Sequence, residues 1–325
     1  MRVLMVTPPL PHEGRPTTTA FIARQIESLR ELGVAVDVVE ADGPSRTKYL
    51  HATRVVRQRM QRCDLVHAHY GFCGWVARCQ RVRPVVVSFL GSDLLYYPAR
   101  RTKRMAAYRR AETRSNLLLA RVVDGVIVKS EEMARIVNGV RPHVIPNGVD
   151  LGAFAPRDKE KARRELGWPR AGQRVLFPGN PDRLRKGFPL AQAAVEEASR
   201  LLGEPIELFA LRGVPHEDVA TVMNACDAMV LTALAEGSPN VVKEAMACNL
   251  PVVAVGVGDV AFLLGGVRRC AVAERDAAAV AEALRDVLAD PGRSDGRRAL
   301  ESKGLDAETV ARRIIGVYDS VADAA

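Results

Sequence analysis

Aromatic residues are scarce in this chain, 5 % of 325 with two tryptophans, and they are not interleaved with its basic residues. That argues against a nucleic-acid surface, where bases stack on aromatic rings set between cations, and no nucleic-acid partner is expected. Lysine is scarce beside arginine, 8 against 39, so part of any arginine cluster follows from composition alone. The six cysteines (Cys63, Cys73, Cys79, Cys226, Cys248 and Cys270) form no Cys-x-x-Cys pair. Their spacing excludes a zinc cage or a disulfide framework and leaves several of them as small hydrophobes inside apolar runs. No apolar stretch approaches the roughly 20 residues of a membrane helix. The opening run, Met1 to Val6, stops at Thr7-Pro8-Pro9, too soon for a signal-peptide core, and a cytoplasmic chain is expected.

What is present is the composition of a folded protein, 48 % hydrophobic and 26 % charged, in a chain long enough for two domains. Apolar runs of five or six residues alternate with helical-length segments, the pattern of a parallel sheet with crossover helices. Strands are predicted at 2–6, 34–39, 65–69, 84–89, 125–128 and 143–145, with helices near 18–32, 47–61, 101–120 and 131–138. A second set of strands follows at 174–177, 206–210, 228–231, 251–255 and 269–272. The turn Pro146-Asn147-Gly148 separates the two sets, giving domains 1–148 and 149–306 with a hinge between them. The last helical pattern, from Ala307, belongs by composition to neither; leaning back on the first domain is open to it. Ligands bind outside the carboxyl ends of strands in such sheets, so the expected site is a cleft between the two domains.

Charge is divided unevenly: residues 1–148 carry a net +12 and the remainder −3. Arg100, Arg101, Lys103, Arg104, Arg109, Arg110, Arg114 and Arg121 crowd one helical stretch, a pattern suited to an anionic partner as well as to simple arginine bias.

The most informative segment runs from Leu231 to Ala247. A buried strand leads into Glu236-Gly237, Ser238 is placed to cap the next helix, and Pro239 fits its first turn, where no N–H is needed. Amides of Asn240 and Val241 at a helix start make an anion site, and Glu236 and Glu244 can each accept hydrogen bonds from sugar hydroxyls. Equally, Glu-x7-Glu by itself describes an ordinary capped surface helix.

Taken whole, Glu-Gly-Ser-Pro-Asn, then Glu-Ala-Met-Ala, then Pro251-Val252-Val253-Ala254 closely resembles the donor-site signature of the GT-B retaining glycosyltransferases of family 4 (glycosyl transferases group 1). Other pieces come in the family's order: Thr7-Pro8-Pro9 with Gly14; Asp64 to Tyr70; Gly91-Ser92-Asp93; Val144 to Asp150 with Phe154; and Phe177-Pro178-Gly179 leading to Arg185-Lys186-Gly187. The resemblance covers nearly the full chain. It implies two Rossmann-like domains facing a cleft, the N-terminal one holding the acceptor and the C-terminal one a nucleotide-sugar.

By the same resemblance Glu236 contacts the donor hexose and Glu244 the nucleotide ribose, while Gly237, Ser238, Pro239, Asn240 and Val241 meet sugar and diphosphate. Lys186 neutralises the departing diphosphate, and Gly14 and Gly179 allow close backbone approach. Two departures stand out. Relatives often carry an arginine after the glycine matching Gly179; here it is Asn180, so Arg183 or Arg185 is left to supply the charge. Relatives often carry His-Gly-x-Asp after the fourth strand; here Leu90 stands at the histidine's place, leaving His69 as the candidate for a direct role and Asp93 for orienting the acceptor.

The resemblance implies a retaining, metal-independent transfer of hexose from a nucleoside-diphosphate sugar, which is a co-substrate, with no cofactor. No Asp-x-Asp pair occurs to support a metal-held diphosphate. The acceptor expected is a lipid-linked or other glycan, such as an anionic glycan precursor, in cell-envelope polysaccharide or glycolipid synthesis, with the basic stretch 100–121 binding an anionic membrane surface peripherally. Two other readings stay open: a nucleotide-sugar-binding protein without turnover, and a GT-B sugar-nucleotide epimerase.

Overall fold

The computed structural model describes residues 1–11, 19–43, 47–95 and 103–324. Gly14, Arg100 and Arg101 lie outside the described residues. The chain divides into two compact units, Met1–Gly148 with Ala307–Ala325, and Val149–Asp306.

Unit 1 holds strands β1 (Arg2–Thr7), β2 (Ala35–Glu40), β3 (Leu65–His69), β4 (Val85–Ser88), β5 (Gly125–Val128) and β6 (His143–Val144). They form one parallel sheet in the order β2-β1-β3-β4-β5-β6. Unit 2 holds β7 (Gln173–Phe177), β8 (Ile206–Ala210), β9 (Ala228–Leu231), β10 (Val252–Val255) and β11 (Ala271–Ala273), ordered β11-β10-β9-β7-β8 and again parallel. The central strands are unbroken apolar runs, Val-Val-Val in β4 and Val-Val-Ala-Val in β10, because crossover helices cover both faces. Each sheet reverses its winding direction once, between β1 and β3 in unit 1 and between β7 and β9 in unit 2. These are the points where loops diverge and leave a crevice for a ligand.

Helix Ala307–Ala322 packs into unit 1. Val310, Ala311, Ile314, Val317, Tyr318 and Val321 recur at helical spacing and bury against Val3, Met5, Leu65, Val86 and Ile127 of the sheet. The Tyr318 hydroxyl lies 2.6 Å from His67 Nδ1, and Arg313 donates to the Val144 carbonyl at 2.7 Å.

Helix Gly71–Arg78 was not expected from the sequence. Its two glycines suggest a loop, but they serve a close approach. A Cβ on Gly71 would stand 2.1 Å from Asn116 Oδ1, and one on Gly74 would stand 2.5 Å from Leu119 Cδ2, both on helix Lys103–Ala120. Helix Gly296–Ser302 likewise lies in a stretch too polar to reveal it.

Much of the arginine content of unit 2 serves the fold. Arg163, fully buried, donates to the Ala225 carbonyl at 2.9 Å and pairs with Asp227 at 2.8 Å. Arg297 donates to the carbonyls of Leu151 and Phe154 at 3.1 and 3.0 Å. A guanidinium satisfies several buried carbonyls at once, which a lysine cannot do in the same plane.

Candidate functional site

The site in unit 2 is built by the loops that leave β7 and β9. The first runs through Gly179 and Asn180 to the short 3-10 turn Leu184–Lys186; the second carries Glu236 to Pro239 into helix Asn240–Ala247. Backbone bonds fasten the two together. Leu234 N–H donates to the Arg185 carbonyl at 2.8 Å, and Thr232 Oγ1 donates to the Gly187 carbonyl at 3.0 Å. Gly187 has φ +73°, and a Cβ there would sit 2.1 Å from the Thr232 carbonyl oxygen, so only glycine lets the loops close to this distance.

Fastening the backbones brings three charges together. Glu236 Oε1 accepts from Lys186 Nζ at 2.9 Å, and its Oε2 pairs with Arg185 Nη1 at 3.0 Å. Burial alone would push the Glu236 carboxyl up, but the two cations and their hydrogen bonds outweigh it and hold the group below its ordinary range. Glu244, half-buried on helix Asn240–Ala247 and eight residues further along the chain, is pushed by burial up to about 7, with the positive charges of Lys243 and Lys186 pulling the other way. Lys186 therefore lies within electrostatic reach of both carboxylates.

Ser238 is not the helix cap. The N-cap position is Pro239, without a side-chain capping bond, and the Ser238 hydroxyl instead meets the buried Lys243 ammonium at 3.1 Å. Lys243 anchors the turn from below. Burial draws its ammonium down to about 8, while the neighbouring charges of Asp259 and Glu244 favour its protonated form. Asp259 faces this group, and its backbone N–H donates to the Gly237 carbonyl at 3.2 Å. Neither Lys243 nor the closure of the Asp259 loop onto Gly237 was foreseen. Only a lysine inside an apolar helix face hinted at the first.

Asn180, at the place of the family's arginine, builds a turn: its Oδ1 accepts the Asp182 N–H at 2.9 Å. Arg183 does not join the cluster. Its side chain is exposed and makes no hydrogen bond or ion pair with the described residues, so Arg185 is the second cation beside Lys186.

In unit 1 the corresponding crevice lies at the ends of β1 and β3. His69 ends β3 but is fully buried, with Nε2 3.0 Å from Gln25 Nε2 and, among the described residues, no hydrogen-bond partner for Nδ1. Burial and the neighbouring His67 and Lys129 hold it well below the ordinary histidine range, so it is a neutral ring enclosed by the fold, not an exposed base. Its ring packs 4.5 Å from that of His67, which is held down to about 3 and bonds Tyr318 and Ser88. Asp93 is also turned inward. Its carboxylate accepts the N–H groups of Leu90 and Gly91 at 3.0 and 2.9 Å, bracing the loop after β4, and burial raises it to about 6 against those bonds. The residue that does stand out is Tyr70, with φ 78° and ψ 143°, a conformation that is costly outside glycine. Its hydroxyl donates to Glu112 at 2.6 Å, and Arg109 pairs with the same carboxylate at 2.7 Å. Tyr49 and Phe72 stack beside it, ring centres 5.4 Å apart.

Two doubly wound parallel sheets, with cations and carboxylates gathered at the winding reversal of the second, define a protein of GT-B architecture. Solved structures agree. Sucrose-phosphate synthase from Thermosynechococcus elongatus superimposes with a TM-score of 0.79 at 20 % identity, covering 100 % of both chains. Anabaena HepE in complex with UDP-glucose gives 0.69 at 19 % identity, covering 98 % of this chain and 100 % of that one. Residues 18–153 match the family described as Glycosyltransferase Family 4, and residues 173–290 that described as Glycosyl transferases group 1. The chain belongs to the group 1 glycosyl transferases.

Among curated relatives, the glycosyltransferase TuaC of Bacillus subtilis (strain 168), assigned to teichuronic acid biosynthesis, is 28 % identical over 71 % of this chain and 63 % of its own length. D-inositol 3-phosphate glycosyltransferase 1 of Catenulispora acidiphila is 28 % identical over 79 % of this chain and 72 % of its own. The chain thus matches less than two thirds of TuaC. Among the described residues no helix is long and apolar enough to cross a membrane.

Proposed function

We propose that this protein is a retaining, metal-independent glycosyltransferase, moving a sugar from a nucleoside-diphosphate sugar to a hydroxyl of a lipid-linked or other glycan acceptor in cell-envelope synthesis. The observation that carries this is the convergence of Lys186, Arg185, Glu236 and Glu244 at the winding reversal of unit 2, against the start of helix Asn240–Ala247. That helix start adds a positive dipole end beside the two cations, a setting for a diphosphate. Glu236 takes hydroxyls of the hexose and Glu244 those of the ribose.

In the reaction the bond from the anomeric carbon to the diphosphate oxygen breaks, and negative charge develops on the diphosphate. Lys186 and Arg185 stabilise that charge where it forms. The acceptor oxygen bonds to the same face of the anomeric carbon, and its proton passes to the departing diphosphate. No side chain is needed as a base, which suits the enclosure of His69. Names of relatives support the substrate classes: TuaC is assigned to teichuronic acid biosynthesis, and HepE was solved with UDP-glucose. The acceptor belongs to unit 1, supported by the strained Tyr70 with Tyr49, Phe72 and Arg109 around it.

A thermal-shift screen against UDP-, GDP- and ADP-sugars tests the donor class, since a ligand that binds only the folded state raises the melting temperature. Product analysis by NMR then reads the anomeric configuration, with and without a chelator. An inverted product, or activity abolished by the chelator, overturns the corresponding part. Release of an isomerised nucleotide-sugar without acceptor would favour the epimerase alternative.

A further inference from the structure

Glu236 is the only anion in direct contact with Arg185 and Lys186 among the described residues, and each of its oxygens holds one of them. The arrangement is set by backbone, not by chance rotamers. Arg185 Nη1 also donates to the Ala235 carbonyl at 2.7 Å, and the Lys186 stem runs over Gly179, where a Cβ would come within 3.2 Å of its Cγ. Glu236 is 13 % exposed and Lys186 18 %, whereas Arg185 is 45 % exposed, so solvent reaches the cations from one side while the carboxylate backs onto protein.

An arriving diphosphate thus meets cations that are already neutralised, and the carboxylate assigned to the sugar is not available to it. We propose that Glu236 is the resident counter-ion of the Arg185–Lys186 pair in the donor-free protein, and that the donor's diphosphate displaces it. Displacement frees the carboxylate for the hexose hydroxyls only once the diphosphate is seated. This rests on the donor-site assignment above. It makes Glu236 a competitor of the diphosphate and a partner of the sugar in one site. A carboxylate that serves the sugar alone is indifferent to diphosphate affinity, and one that merely positions the cations supports it; a counter-ion opposes it.

The test is calorimetry on the full chain with UDP, GDP and ADP, using wild type, Glu236→Gln, Glu236→Asp and Lys186→Met. Charge-assisted bonds of this kind are worth enough to shift affinity by about tenfold. Glu236→Gln is expected to bind the favoured diphosphate about tenfold more tightly than wild type, with the gain shrinking as salt rises. Glu236→Asp, whose shorter side chain spans the two cations poorly, is expected to lie between them. Lys186→Met binds at least about tenfold more weakly. In turnover, Glu236→Gln loses kcat and shows deeper inhibition by the diphosphate product. Equal or weaker diphosphate binding by both Glu236 variants, with Lys186→Met still impaired, overturns the exchange and leaves the donor site standing. Unchanged binding by Lys186→Met, or no binding of any of the three diphosphates to wild type and Glu236→Gln alike, overturns the donor-site assignment itself. Urea midpoints of the variants separate a folding defect from these outcomes, and if Glu236→Gln does not fold, Glu236→Asp decides by the same sign.

Discussion

Replacing Gly187 by alanine tests whether the loop geometry described here is what holds the site. Two costs add. A Cβ on a left-handed residue costs about 1–2 kcal/mol, and Gly187 has φ +73°. The new Cβ would also lie 2.1 Å from the Thr232 carbonyl oxygen, a backbone atom that cannot rotate away. Relieving that contact means parting the loops by roughly 1 Å, an overpacking that costs a further ~1–3 kcal/mol. Gly203 supplies the control, because its φ of +71° is nearly the same while a Cβ there meets nothing within 4 Å. Gly203→Ala is expected to lose only the conformational part. The difference between the two variants in thermal or urea unfolding isolates the contact. Parting the loops also moves Lys186 and Arg185 away from the start of helix Asn240–Ala247, the other half of the proposed diphosphate site, so nucleoside-diphosphate affinity should fall in Gly187→Ala and stay unchanged in Gly203→Ala. Equal destabilisation of the two variants, or unaltered affinity in the first, refutes the reasoning.

Glu244 makes a pH prediction. Its folded value of about 7 exceeds its ordinary 4.5, so the native state holds the extra proton between them. Stability attributable to this group is present at acid pH and is lost as pH rises from about 4.5 through 7. Stability of Glu244→Gln should therefore gain on wild type across that window, by about 1–3 kcal/mol, while donor affinity falls; parallel stability profiles would refute it. Tyr318→Phe removes the 2.6 Å partner of His67 Nδ1 and leaves a buried nitrogen unpaired. Unfolding should show a loss of about 1–3 kcal/mol, and an unaffected variant would show that the contact is incidental. On helix Lys103–Ala120, Met105 and Tyr108 are exposed beside Lys103 and Arg104. Sedimentation with vesicles containing anionic lipid should be salt-sensitive and should drop when Lys103 and Arg104 are replaced by alanine; binding that survives both changes excludes this surface.

Which of these features were legible beforehand follows from how local their causes are. The strands announced themselves because a strand covered on both faces reads as a near-continuous apolar run, as in Val85 to Val87 and Val252–Val255. Helix Gly71–Arg78 was hidden because its glycines answer to Asn116 and Leu119, some forty residues away in the chain. The Glu236 to Glu244 segment was recognisable as a unit because a strand end, a turn and a helix start lie consecutively. The arginine substitute was not. Arg183 and Arg185 are two residues apart and chemically identical, and only the tertiary fold turns one outward and the other onto Glu236.

The burial of the two histidines was hidden for the same reason. Alternation along β3 puts His67 and His69 on one face, but which face is lined by helix Ala307–Ala322 depends on where that last helix lands. What the chain's order alone determined was the alternation of strand and helix, the two sheets and the candidate donor segment, since these depend on neighbours within a few residues. The pairing of Lys186 and Arg185 with one carboxylate and the enclosure of His69 were decided by tertiary packing. Coulomb attraction and desolvation act over a few ångströms of space, and residues fifty or more positions apart reach that distance only once the sheets have formed.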